Sequence, residues 1–295
     1  MEKMIKKKKN TIWSWWIGMC VLVFVNVSLG ILLVAYAFQC QNKNAKSSVI
    51  LVAILAFIYI IVCGFRSVLP RQDVERICLI KTPLSTPFVG RSLATIAEMA
   101  YVILIAICMV TLVKLSLKKN NYQTIWNTIL YLGVIMIFMA EIFSWIGCLS
   151  ECTLWNALEE SLWGIYGITL FALFIHLSFT KATKYIVYPG LIASALYVIY
   201  MFATDVPMYF KRYYGRKCSQ KLTLHNVLND MKMKFKEMKK NGLSNCIKKM
   251  NNCDKISNKM SDWKDDLPWF TGYFSLAVWS SIALSAWYTH KKCAK

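Results

Sequence analysis

Residues 92–113 read SLATIAEMAYVILIAICMVTLV, an apolar run whose one charge is Glu98. About 20 mostly apolar residues span bilayer hydrocarbon as a helix. An ionisable group at that depth costs a few kcal/mol or more unless it is paired or wetted. Both halves of that pattern recur along the chain. Glu141 lies inside the run 125–146, Glu159 and Glu160 near the start of 155–177, and Asp205 at the end of 185–204. Three further runs, 13–38, 49–65 and 268–288, carry no acid, so seven stretches are expected to span a membrane. No alternating barrel pattern is present, and backbone exposed to lipid must satisfy its own hydrogen bonds, so all seven are expected to be helices.

Composition agrees. The chain has 295 residues and is 57% hydrophobic, more apolar surface than a soluble domain of this size can bury. Trp13, Trp15, Trp16, Trp126, Trp155, Trp269, Trp287 and Tyr288 gather at the ends of the runs, where interfacial aromatic side chains anchor a span. The expected fold class is all-α: a polytopic helical membrane protein with seven transmembrane helices, a short interfacial helix and a cytoplasmic helical insert. Residues 1–204 form a six-span core, 205–267 a basic insert, and 268–295 the seventh span with a short tail.

The formal net charge of +20 orients the chain once it is divided among the loops. With the N-terminus inside, 25 basic residues fall on the cytoplasmic side and 10 on the other; without the insert the division is even at 10 to 10. Charges far from a span weigh little, so the reading rests on the Lys6 to Lys9 run and on the ends of the insert. It places the N-terminus in the cytoplasm and the C-terminus opposite. The first run reads as a retained signal anchor, since it is longer than the apolar region of a cleaved signal peptide. The eleven cysteines are odd in number and scattered, with Cys20, Cys63 and Cys108 inside spans, which does not describe a disulfide framework. Cys148 and Cys152 are close enough to be considered as a pair, but they face the reducing side and are expected as thiols.

The insert has helical order. Leu224, Val227, Leu228, Met231, Phe235 and Met238 recur at helical spacing after Thr223 as an N-cap, and Asn241-Gly242 is a stop. Leu243, Ile247 and Met250 continue in a second segment. Both segments carry a lysine-rich opposite face, as helices lying on anionic lipid do, so anionic lipid is the expected partner. The alternative is a solvated hairpin packed on neighbouring loops. Nucleic acid is not expected, because the insert is poor in Arg and in stacking aromatics.

Between the second and third runs, Pro70 suits the first turn of a short interfacial helix, with Asp73 and Glu75 near its positive end and Val74, Ile77 and Cys78 as its apolar stripe. Arg71, Arg76 and Ser92 are candidates for clamping a lipid headgroup, because guanidinium forks fit its oxygens. The alternative is that the Arg and acid side chains neutralise one another on the helix surface.

Under the N-inside orientation the acids fall at one depth. Glu98 and Glu141 lie about two turns from the cytoplasmic ends of their spans, and Glu159 and Glu160 about one turn. Arg66, Arg91 and Asp205 end or begin spans at the same face, and Asn156 shares a helix face with Glu160. These eight residues are the candidate ligand- or ion-binding set. A cation, a proton or a polar lipid group fits a carboxylate layer, which suits a transporter, channel or binding protein. The alternatives are structural neutralisation by Arg66 and Arg91 in a non-catalytic membrane protein, and an intramembrane lipid-modifying enzyme using paired carboxylates as acid and base. His176, His225 and His290 are too far apart in the threading to form one zinc site. No CxxC, P-loop, GxSxG or HExxH motif is present, so no cofactor is expected. The last run has no lysine for a retinal Schiff base, and no Asp-Arg-Tyr follows the third.

Overall fold

The computed structural model describes residues 11–117, 121–180, 184–215 and 223–293. The Lys6 to Lys9 run lies outside them. The chain forms an all-α polytopic membrane fold in two compact units, Met1–Ile105 with Met250–Lys295, and Ala106–Lys249. Among the described residues, six helices are long and apolar enough to cross a membrane.

In the first unit, α1 (Trp13–Phe38) and α2 (Lys43–Val68) form a hairpin closed by Asn42, whose side chain caps α2 by accepting from Asn44 N. Ile17, Val21, Phe24 and Leu32 point outward, as a lipid-facing surface requires, while Met19, Asn26, Leu33 and Ala37 are buried. Asn26 is a polar residue kept inside because it is satisfied: its Nδ2 donates to Phe274 O at 3.3 Å and its Oδ1 accepts from Trp279 Nε1 at 3.0 Å.

The segment after α2 is not the expected interfacial helix. It is a β-hairpin, β1 (Arg71–Gln72) antiparallel to β2 (Ile77–Cys78), extended by parallel pairing of β2 with β3 (Lys255–Ile256). Arg76 adopts φ 53°, a left-handed conformation that turns the chain where a helix would continue. Two such short strands are marginal alone. They are held by the third strand and by the Cys78–Cys253 disulfide, which the sequence could not pair across 175 residues. A single 3-10 turn (Pro83–Ser85) then leads into α3 (Pro87–Ser116), which begins in the first unit and continues into the second.

The end of the first unit returns as α10 (Met260–Trp263), α11 (Leu267–Gly272), a π-helical turn (Tyr273–Ala277) and α12 (Val278–Cys293). The expected seventh span is therefore an interrupted helix, and it is not among the six. Ile12, Met19, Tyr59, Ile60, Trp263, Phe270 and Phe274 belong to one core. Ile12 N donates to Asn258 O at one end of α1, and Cys40 is bonded to Cys293 at its other end. The expectation of no disulfide framework is thus corrected by two bonds, both joining residues that are remote in sequence.

In the second unit, α4 (Asn121–Ser150) and α5 (Thr153–Ser178) pack with a helix that begins as α6 (Lys184–Tyr200), passes through a π-helical turn (Met201–Asp205) and ends as α7 (Val206–Gly215). This sixth helix runs on past Thr204 to Gly215. Small residues set the approach: a Cβ on Gly164 would stand 2.7 Å from the Phe202 ring, and one on Gly167 2.7 Å from the Tyr197 ring. The insert then forms α8 (Leu224–Asn241), capped by Thr223 and ended by Gly242 at φ 78°, and α9 (Leu243–Met250). Its apolar stripe divides. Val227, Met231 and Phe235 pack on Cys152, Trp155 and Tyr213, while Leu224 and Leu228 stay exposed. Cys148 and Cys152 remain thiols.

Candidate functional site

The first unit gathers arginines. Arg66, near the end of α2, places Nη1 3.5 Å from Glu98 Oε1 and Nη2 3.8 Å from Asp73 Oδ2. Arg91, one turn into α3, donates to Glu98 Oε2 at 2.9 Å, and Tyr273 Oη donates to Glu98 Oε1 at 3.2 Å. Arg91 and Glu98 stand seven residues apart, so two turns of α3 bring them to one face. The Arg66 guanidinium also lies 5.6 Å from the Trp269 ring and 5.3 Å from that of Tyr273, a covering by π-faces that suits a cation shielded from water. All three charged residues are buried. Arg66 and Arg91 thus both pair with Glu98, as the structural alternative expects of some of the acids. Tyr273 and Trp269 were not singled out from sequence, and the signal for them is weak: an aromatic cluster after Pro268 that reads equally well as an interfacial belt.

Arg71 places Nε 3.5 Å from Asp73 Oδ1 and donates from Nη1 to Leu84 O at 3.3 Å. Of the other two clamp candidates, Arg76 pairs with Asp254 at 3.6 Å, and the Ser92 hydroxyl donates back to Phe88 O at 2.8 Å. Each of the three thus has a different partner.

The second unit gathers acids. Glu141 on α4, Glu159 and Glu160 on α5, and Asp205 in the π-helical turn are all buried, Glu141 and Glu159 at 2% exposure. Glu141 and Glu159 bring carboxylate oxygens within 4.8 Å of each other. Asn156 Nδ2 donates to Glu159 Oε2 at 2.9 Å, and its Oδ1 lies where a Cβ on Gly147 would stand 2.2 Å away, so glycine there admits the amide between α4 and α5. Asp205 arrives by the π-helical turn, which inserts one residue into the helix and turns the following face; such bulges recur at functional sites. Four residues beyond Asp205, the ring of Tyr209 lies 5.9 Å from the Arg212 guanidinium.

Among the buried oxygens around this group, Asn156 Oδ1 and Ser144 Oγ make no hydrogen bond. Ser144 differs in this from Ser67, Ser92, Ser150 and Ser161, whose hydroxyls each bond to the carbonyl four residues back. It stands one turn beyond Glu141 on the same face.

The fold and these two groups define a multi-pass helical membrane protein with ionisable residues held inside its units. No family model, characterised protein or solved structure matches the chain.

Proposed function

We propose that the protein binds a cation or a proton at Glu141 and Glu159, and that a transporter, channel or ion-binding activity rests on that site. The observation that carries the reading is the approach of two buried carboxylates to within 4.8 Å inside apolar helices. Two negative charges so placed repel strongly in a medium of low dielectric, and a cation between them or a proton shared by them removes the repulsion. A hard cation takes carboxylate, amide and hydroxyl oxygens together. Ser144 Oγ and Asn156 Oδ1 supply the neutral ones, and the Asn156–Glu159 hydrogen bond orients one carboxylate.

The test is flux in proteoliposomes holding the purified full-length protein, driven by proton, sodium, potassium and calcium gradients in turn. Glu141→Gln and Glu159→Gln preserve shape while removing charge. Each is expected to cut the coupled flux by at least about tenfold while the protein keeps its melting temperature, the loss of one charged ligand being worth more than about 1.4 kcal/mol. Activity that survives in proportion to folded protein, with a lowered melting temperature, would identify the pair as structural and reject the proposal.

A further inference from the structure

Arg71 is 2% exposed, and its guanidinium lies against Gly90 so closely that a Cβ there would stand 1.7 Å from Nε and 2.6 Å from Nη2. Gly90 is in the first turn of α3, and its N–H donates to Thr86 O at 3.0 Å, which makes Thr86 the N-cap. Nη1 thus reaches Leu84 O and the rest of the fork lies against Gly90, the two contacts flanking Thr86 in sequence. A cation at a helix N-terminus adds to the positive end of the helix dipole instead of opposing it. Two donors at this corner have nothing to donate to: Arg71 Nη2, and the Thr86 hydroxyl, which is 8% exposed. Burial pushes the pKa of Arg71 down to about 10.

We propose that this corner binds a phosphate oxyanion, held by Arg71 Nη2, by Thr86 Oγ1 and by the start of α3. Helix N-termini supply oriented N–H groups to anions, and the guanidinium supplies the countercharge. The corner is closed by short contacts: Cys78 Sγ, bonded to Cys253, lies 3.2 Å from Ser85 O, and the Thr82 and Ser85 hydroxyls are 2.8 Å apart. The corner follows the end of one membrane-spanning helix, Lys43–Val68, and opens the next, Pro87–Ser116, which places it at the depth of lipid phosphates. The chemistry is shared by a phospholipid headgroup and by free phosphate. The residues of this site are not those of the carboxylate pair.

The experiment is native mass spectrometry of the purified full-length protein with phosphatidic acid, with phosphatidylcholine and with inorganic phosphate. Selective retention of phosphatidic acid that millimolar phosphate does not displace identifies a lipid; displacement by phosphate, without lipid selectivity, identifies the free ion. In either case Thr86→Val, which keeps the side-chain shape, and Arg71→Lys, which keeps charge but loses the fork, are each expected to weaken retention about tenfold, as the loss of a hydrogen bond to a charged group does. Thr86→Val carries the test if Arg71→Lys does not fold. Wild-type protein that holds neither anion above phosphatidylcholine, or a folded Thr86→Val protein that retains it like wild type, would overturn the proposal.

Discussion

At the scale of single residues, the first unit depends on one acid doing the work of two. Glu98 offers one oxygen to Arg91 and the other to Arg66 and Tyr273, so its removal takes a partner from two buried guanidinium groups at once. Breaking a buried pair from one side costs about 3–5 kcal/mol, because the remaining charge is left without compensation. Glu98→Gln is therefore expected to lower the thermal stability of the purified protein by an amount of that order, read by tryptophan fluorescence on heating. Phe274, a third aromatic face over Arg66, serves as a control: Phe274→Leu should cost about 1 kcal/mol beyond its lost area, the range of a single cation–π contact. Equal effects of the two substitutions would show that Glu98 is not the hub. The pairing of Glu98 with Arg66 and Arg91 was legible in the sequence, because buried charge must be compensated and those were the cations at matching depth. The aromatic cover and the Thr86 hydroxyl were not, since an interfacial aromatic and a buried one look alike in a string of residues.

Among the elements, the β-hairpin and the end of the insert are fastened by polar bonds. Gln72 Nε2 donates to Asp262 O at 2.7 Å and to Asp266 Oδ2 at 2.5 Å. Asp262 in turn accepts from the Ser257 hydroxyl and from Lys255 at 2.7 Å. The hydrogen bonds from Lys255 and Ser257 hold the Asp262 carboxyl below the usual carboxylate range. A carboxyl with a lowered folded pKa adds stability above its unfolded value, about 3.9, and loses it as pH falls through the folded value. Below about pH 4 the clasp is expected to loosen, exposing the buried Trp263, whose Nε1 donates to Ser257 O at 2.9 Å. Asp262→Asn should abolish this part of the acid transition while leaving other carboxylates to titrate; an unchanged profile in that variant would show that Asp262 takes no part. The interfacial helix expected for this region was read from Pro70 and the spacing of Val74, Ile77 and Cys78. Strand pairing prevails because residues 254–257, far along the chain, supply it with Asp254 N to Arg76 O at 2.9 Å and Ser257 N to Cys78 O at 3.0 Å.

For the whole molecule, the threading of the first unit bears on topology. Ile12 is tied to Asn258 at one end of α1, and Cys293 to Cys40 at the other, so the chain from 258 to 293 traverses the length of that helix. Helical segments totalling about 27 residues rise about 40 Å, enough for the expected seventh crossing despite the π-helical interruption. Tags at the two termini should be protected on opposite sides of the membrane, and protection on the same side would exclude this crossing. On that threading the two disulfides would face different compartments. With the N-terminus cytoplasmic, Cys78–Cys253 meets the glutathione pool and should be trapped as thiols by alkylation before lysis, whereas Cys40–Cys293 should resist. The reverse pattern would place the N-terminus outside.

The amino-acid sequence by itself determined that this chain spans a bilayer as helices, because run length and apolarity are local properties that hydrocarbon thickness reads directly. It also determined that Glu98, Glu141, Glu159, Glu160 and Asp205 are held inside, since each is embedded in or ends such a run. The pairing of those acids was decided only in three dimensions: Glu98 with two arginines, Glu141 within 4.8 Å of Glu159. The same holds for the hairpin in place of a helix, for the two disulfides, and for the π-helical turns that present Asp205 and Tyr273. These features depend on which distant residues come within bonding distance, and a single extra residue in a helix rotates its face by about 100° without leaving a mark in composition.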